Sequence, residues 1–273
     1  MSAAPDTGPD TGTRAVAGPR ARQGLTWSRL RYAGDVALVV VAIVVVWQAL
    51  HMAAGDVAIS SPAATAARAL ELLGSDRFWP HAYETARALG WALLIALMAG
   101  VGIGTWLGAH RLAGAVAEPI LVALYSLPKI TLYPVILLIF GLGLEAKIAF
   151  GAIHGVIPVT IFTMNAVRNI NPVFLRTAQV MRLGPGQTAA RILVPATLPE
   201  VVSGLRVGFS LTLLGVLIGE LFSSHRGMGF LVMRAIGLHD VETMMAVTLI
   251  LAVVAVLIAS LLLYLDNRLH RRV

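Results

Sequence analysis

The chain has no cysteine. That excludes a disulfide scaffold, a thiolate metal site and a cysteine nucleophile. Lysine is nearly absent: only Lys129, after Pro128, and Lys147, after Ala146, occur. No G-x-x-x-x-G-K-[ST] loop can be assembled from them, so the chain lacks the usual cradle for ATP phosphates. H-E-x-x-H and G-x-S-x-G are missing as well. The seven histidines (His51, His81, His110, His154, His225, His239 and His270) are scattered, and no two have metal-ligand spacing. No catalytic residue and no metal site is expected, and the chain does not read as an enzyme. Charge is scarce too. Asp, Glu, Lys and Arg make up 13% of 273 residues, about half of what a soluble globular chain carries.

What is abundant is apolar surface. Hydrophobic residues are 58% of the chain and glycines number 26, with a mean hydropathy of +0.81. A net charge of +7 could point to nucleic acid. The long apolar runs point instead to a bilayer, where excess arginine marks cytoplasmic loops. Six runs have the ~20 residues needed to cross a ~30 Å hydrocarbon core: about 33–53, 84–108, 115–140, 146–167, 201–222 and 243–265. Backbone groups in lipid must be satisfied within the segment, and no alternating barrel period is present, so each run is read as a helix. The fold class is an all-α membrane protein. The first run also resembles a signal-peptide core, but the long segment before it and its continuation through His51 and Met52 favour an uncleaved anchor.

Residues 1–31 are rich in Pro, Gly, Thr and Ala and carry Arg14, Arg20, Arg22, Arg29 and Arg31. So little apolar surface cannot offset ordering entropy, which predicts a disordered basic tail ahead of a transmembrane domain at 32–273. With the N-terminus inside, thirteen Lys and Arg fall in inner loops, five (Arg68, Arg77, Lys147, Arg226 and Arg234) in outer loops and three (Arg87, Lys129 and Arg206) in or beside spans. The positive-inside bias therefore puts both termini in the cytoplasm. Tyr32, Trp47, Trp79 and Trp91 are candidate interfacial anchors.

Two connecting segments are long enough for structure of their own. Outside, Pro62–Gly74 has Pro at its start and Gly at its end, which predicts a short helix. Leu70, Leu72 and Leu73 would make it an interfacial helix or lid; otherwise it is an ordinary surface helix. Inside, residues 168–199 form the longest polar loop between spans. Asn171 is a good N-cap and Pro172 a good first helical residue. Gly184, Pro185 and Gly186 force a turn, and a second short helix is expected from Gln187 to Pro195. The product is a basic helix–turn–helix knob below the membrane.

Within the spans, Gly100, Gly104 and Gly108 lie on one helix face and predict close helix packing. Glu220 and His154 are read as buried polar groups satisfied by neighbouring helices, and Arg206 as paired or snorkelling. Lys129 lies inside the third predicted span, next to the helix-bending Pro128 and before Pro134. An intramembrane charge must face a partner or a pathway. The partners open to Lys129 are Glu118, Glu220 or a carbonyl. The pathway reading makes Lys129 a contact for an anionic solute, helped by Ser126, Thr131 and Tyr133, with Glu220 as a further candidate.

The inner loop resembles that of the inner-membrane permeases of binding-protein-dependent ABC importers, whose motif is E-A-A-x3-G-x9-I-x-L-P. Anchored on "RILVPATLP", the motif's Ile and Pro fall on Ile192 and Pro195, its second Ala on Ala178, its Gly on Arg182, and its Glu and first Ala on Arg176 and Thr177. Val194 stands at the Leu position. "SLPKITLYPVILLIFGLGLEAKI", "VPATLPEVVSGLRVGFSLTLLGVLIGELF" and "RGMGFLV" are similar to the subgroup that imports nitrate, sulfonates, taurine and pyrimidine precursors. The resemblance covers roughly residues 60–265. It implies a six-helix type I importer permease fold in the plasma (inner) membrane, with no cofactor in this chain and ATP-Mg on a partner. It also implies a second permease copy, cytoplasmic ATPase subunits, an extracytoplasmic binding protein, and a coupling surface made by Pro172, Arg176, Thr177, Ala178, Met181, Arg182, Gly184, Ile192 and Pro195. The alternatives are a stand-alone secondary transporter or channel, which would need ion-coupling carboxylates or histidines beyond Glu220 and His154, and a membrane enzyme.

Overall fold

The computed structural model describes residues 23–270. Residues 1–22 of the expected tail lie outside the described residues. From Gln23 onward the chain is already helical and continuous with the first span, so the helix begins inside the stretch read as tail. Two units are distinguished. The first holds α1 (Gln23–Ala54), whose 21-residue apolar stretch Gly34–Ala54 spans about 32 Å at 1.5 Å per residue.

The second unit begins with α2 (Pro62–Leu73), α3 (Trp79–Ala109) and α4 (Arg111–Ser126). A 3₁₀ turn (Lys129–Leu132), α5 (Tyr133–Phe140) and α6 (Leu144–Arg168) follow. The inner loop holds α7 (Pro172–Val180), α8 (Pro185–Thr188) and a π turn (Ala189–Leu193). The chain closes with α9 (Val194–Ser223), α10 (Met228–Gly237) and α11 (Val241–His270). Among the described residues five helices are long and apolar enough to cross a membrane, and a bent pair makes the sixth. Each overlaps one of the six expected apolar runs.

The bent pair is the third span. Its limbs, Arg111–Ser126 and Lys129–Phe140, meet at 87°. Of the three prolines in that run, only Pro128 breaks the helix. Leu127 before it is extended (φ −66°, ψ 138°), because the proline ring excludes its neighbour from the α region. Pro119 is accommodated within α4, and Pro134 sits in the first turn of α5, where its missing N–H costs nothing.

The core is α6 between α3 and α9. On α3 the small residues recur every fourth position. Ala88, Ala92 and Ala96 are fully buried, and Gly100, Gly104 and Gly108 continue the stripe. A Cβ on Gly104 would lie 2.7 Å from the Thr160 carbonyl oxygen, and one on Gly108 2.7 Å from that of Met164. On the other side of α6, a Cβ on Gly215 would lie 2.9 Å from the Gly151 Cα. Backbone meets backbone along both seams, as the glycine spacing predicted for α3.

α2 runs between Pro62 and Gly74 as expected, and a cap that was not foreseen begins it: the Ser61 hydroxyl accepts the Ala64 N–H at 3.2 Å. Ala69 and Leu72 face α11 and its neighbours, while Leu70 stays exposed. Arg68 Nε donates to the Thr243 hydroxyl at 3.0 Å. Asp240 caps α11 by accepting the Thr243 N–H at 3.0 Å. Burial pushes the Asp240 carboxyl up, but its hydrogen bonds from Thr243 and the Arg68 charge hold it below the ordinary aspartate value.

The inner loop departs from expectation at its second helix. It does not stop at Pro195. α8, the π turn and α9 run on without a break. Within the π turn the Val194 N–H reaches back five residues to the Ala189 carbonyl. The wider ring lets the helix pass Pro195, whose side chain would otherwise collide with the preceding turn. The Thr197 hydroxyl then takes the Leu193 carbonyl at 2.8 Å.

Candidate functional site

The inner loop is built from local signals. Asn171 Oδ1 accepts the Val173 N–H at 3.0 Å, and Pro172 opens α7. Ala178 is the buried residue of α7. The helix ends in a Schellman motif: Arg182 N–H donates to the Gln179 carbonyl and Leu183 N–H to the Ala178 carbonyl, both at 3.0 Å. That closure requires a left-handed residue, and Arg182 supplies it at φ 52°. The strain explains why the importer motif has glycine at this place. Gly184 N–H then donates to Gln187 Oε1 at 3.3 Å, which sets the turn into α8.

Arg176, Thr177, Met181, Arg182, Gly184 and Pro195 are exposed, as is Arg191; Ile192 is half-buried. Val173, Phe174, Leu175, Val180 and Met181 also present apolar surface. No acidic residue occurs between Asn169 and Pro199. The loop is therefore a cationic, partly apolar surface on a rigidly capped helix.

The five expected pathway residues are not brought together. Ser126, Lys129 and Thr131 lie at the bend. Lys129 is buried, and its Nζ donates to the Tyr125 carbonyl at 3.0 Å and sits 5.6 Å from the centre of the Tyr125 ring. Of the partners considered for Lys129, the carbonyl is the one the fold provides; Glu118 is taken by Arg168 at 2.7 Å. The Ser126 hydroxyl donates to the Val122 carbonyl and that of Thr131 to the Pro128 carbonyl, each at 3.0 Å. Tyr133 is buried edge-on against Phe150 and donates to the Gly219 carbonyl at 2.9 Å.

Glu220 lies elsewhere, at the α9 end that faces α10. It is fully buried. The Thr85 hydroxyl lies 2.9 Å from each of its oxygens, and the Gly229 N–H donates to Oε2 at 2.9 Å. Thr85 in turn accepts the Met228 N–H at 2.8 Å. Lys147 Nζ stands 4.0 Å from Glu220 and 3.4 Å from Glu84, and donates to the Arg226 carbonyl at 2.8 Å. Lys147, counted among the outer-loop cations, is thus a buried residue in the first turn of α6. The Gly227 N–H donates to His81 Nδ1 at 3.2 Å, which stacks on Phe230. Sequence reasoning missed Thr85, Glu84, Lys147 and His81. The sequence traces of the cluster were Glu220 itself, read as a buried group satisfied by its neighbours, and the glycine pair Gly227 and Gly229, both of which crowd Glu220 so closely that a Cβ would collide with it.

At the other end of α9, Arg206 is paired, with Nη1 3.5 Å from Asp266 Oδ2. Asp266 also accepts the Ser203 hydroxyl at 2.7 Å and faces His270 at 3.1 Å. His154 is buried, with Nδ1 2.8 Å from the Phe150 carbonyl. Among the described residues no group of three His, Asp or Glu side chains is placed to hold a metal ion.

Comparison with known proteins agrees with this architecture. Residues 92–273 match the family described as binding-protein-dependent transport system inner membrane component. The chain is 29% identical to a probable ABC transporter permease protein of Haemophilus influenzae, over 86% of this chain and 94% of the relative. It is 27% identical to a putative aliphatic sulfonates transport permease of Bacillus subtilis, over 73% and 72%. It is 29% identical to the riboflavin transport system permease of Chloroflexus aurantiacus, over 92% and 95%.

Proposed function

The chain belongs to the family of inner membrane components of binding-protein-dependent transport systems, and from that premise we propose how it works: as one half of a homodimeric permease that moves a small anionic solute inward. It is a multi-pass membrane subunit of an ABC importer, not an enzyme, and it operates with ATPase subunits and a substrate-binding protein. In the proposed arrangement both termini and the 168–199 loop face the cytoplasm. ATP-Mg is bound and hydrolysed on the partner ATPase. α7 sits in a groove of that ATPase, with Pro172, Arg176, Thr177, Ala178, Met181, Arg182, Gly184, Ile192 and Pro195 forming or supporting the contact surface.

The observation that carries this reading is the loop itself: a capped, cationic and apolar α7, joined by the turn at Arg182–Gly184 to α8, which runs on through the π turn into the 30-residue α9. Movement of α7 is passed through that turn to a helix long and apolar enough to cross a membrane. A stand-alone transporter has no use for such a surface. The anionic solute is supported by the sulfonate-permease relative, by the subgroup resemblance and by Lys129 at membrane depth. The test is copurification of the chain with the ATPase and binding protein encoded beside it, followed by ATP hydrolysis in nanodiscs with methanesulfonate, taurine, nitrate or riboflavin added. Stimulation by the anions is expected. A chain that copurifies with no ATPase is not the importer subunit described.

A further inference from the structure

We propose that the groove between α4, α9 and α11 is a docking station for an oxyanion at membrane depth, anchored by Arg206. The inference rests on the reading that the solute is an anion, and it places the contact on residues other than those at the bend. The groove has a volume of about 470 Å³, and its polar lining is Tyr125, Arg206, Ser210 and Ser260 among aliphatic side chains. Arg206 lies about 18 Å along α9 from Val194, and Ser260 about 15 Å along α11 from His270, at 1.5 Å per residue. Both are on helices long and apolar enough to cross a membrane, about 8 Å inside the ends of the 201–222 and 243–265 runs at 1.5 Å per residue.

Arg206 keeps 37% of its side chain exposed. A guanidinium costs about 2.5 kcal/mol at the bilayer centre and less near a helix end, and in either place its N–H donors need a partner or water. Asp266 answers only part of that need. Its Oδ1 is taken by Ser203 and His270, and Oδ2 stands 3.5 Å from one guanidinium nitrogen. Arginine has five N–H donors in a planar fork that fits the two-oxygen edge of a sulfonate, carboxylate or nitrate. The serines point to the same ligand. Ser126 turns its hydroxyl back onto its own helix, and Ser203 gives its hydroxyl to Asp266. Among the described residues Ser210 and Ser260 make no such bond, and both are exposed. Two free hydroxyl donors, a guanidinium and a tyrosine that also carries Lys129 make a site for a group of oxygens bearing negative charge. The aliphatic part of the lining suits a short alkyl chain.

The test uses the full chain assembled with its ATPase and binding protein in phosphatidylcholine vesicles, with uptake of methanesulfonate, nitrate and riboflavin as probes. The double variant Arg206→Gln/Asp266→Asn removes both charges, so no buried carboxylate is stranded. It should assemble with the ATPase as wild type does, while anion uptake falls about tenfold or more, the size expected for a lost charge-assisted hydrogen bond. Ser260→Ala should raise the half-saturating anion concentration several-fold, and Arg206→Lys should retain part of the uptake. Wild-type anion uptake in the double variant would overturn the station and leave Arg206 as a structural partner of Asp266. A loss of uptake that follows the phosphatidylglycerol content of the vesicles, and not the charge of the solute, would also overturn it, by showing a seated lipid phosphate. If wild type carries riboflavin and neither anion, the anionic reading itself fails and the station falls with it.

Discussion

The hydroxyl of Thr85 lies 2.9 Å from both carboxylate oxygens of Glu220 while it accepts the backbone N–H of Met228. One side chain of α3 thereby ties α9 to the first turn of α10. A threonine has a single hydroxyl proton and two lone pairs; here the proton is shared by the carboxylate and a lone pair takes the amide. Thr85→Val keeps the shape and removes both functions. Each buried group left unsatisfied costs about 1–3 kcal/mol. The solubilised protein should melt several degrees lower, and Thr85→Ser should restore most of the loss. Equal melting of the valine and wild-type proteins would mean that the contact contributes nothing.

A second outcome concerns Arg182. Left-handed backbone costs a residue with a Cβ about 1 kcal/mol or more, which glycine avoids. Arg182→Gly should slow amide exchange across residues 172–183, because the Schellman closure at φ 52° is relieved. Unchanged or faster exchange there would count against the strain.

Ala178→Pro should separate coupling from folding. Proline removes a backbone donor and clashes with the preceding turn, at a cost of about 3 kcal/mol to α7. The variant is expected to insert normally into the membrane and to lose either assembly with the ATPase or uptake. Full uptake would remove α7 from the coupling route.

The glycine seam offers a paired comparison on one helix. Gly104 faces the Thr160 carbonyl, whereas Gly102 has no atom within 4 Å of a would-be Cβ. Gly104→Leu forces two backbones apart, an overpacking worth about 1–3 kcal/mol or more. It should abolish the monodisperse peak on size-exclusion chromatography, while Gly102→Leu should leave it. Similar profiles for the two would show that α3 does not pack on α6 through this stripe.

Reporter fusions test the orientation. Fusions after Gly74 and after Val273 should report opposite sides of the membrane, the first external and the second cytoplasmic. Reports from the same side would break the six-span arrangement.

Much of the scaffold was legible in the sequence because its signals are local. Apolar length found the spans, four-residue spacing found the seam of Gly100, Gly104 and Gly108, Pro62 and Gly74 bounded α2, and Asn171 with Pro172 placed the start of α7. The proline break was legible in kind, though only tertiary packing decides that Pro128 and not Pro119 or Pro134 opens the helix. The Glu220 cluster was not legible. Thr85 and Glu220 are 135 residues apart, and no spacing rule links them. Lys147 looked like a loop cation because polarity alone cannot show that a carbonyl and two carboxylates await it. Pro195 misled for a related reason: a proline stop signal assumes α geometry, and the π turn before it withdraws that assumption.

The seams of α6 with α3 and α9 have a mechanical consequence. Where backbones touch through glycine and alanine, few side chains can change rotamer to absorb a displacement, so the three helices behave as one stiff body. Over the 30 residues of α9, about 45 Å at 1.5 Å per residue, a tilt of about 10° at the Val194 end carries the far end sideways by about 8 Å. That stroke exceeds the width of a small oxyanion. In the coupling proposed above such a body would act as a lever, turning a modest closure of the ATPases into a large displacement at the opposite face.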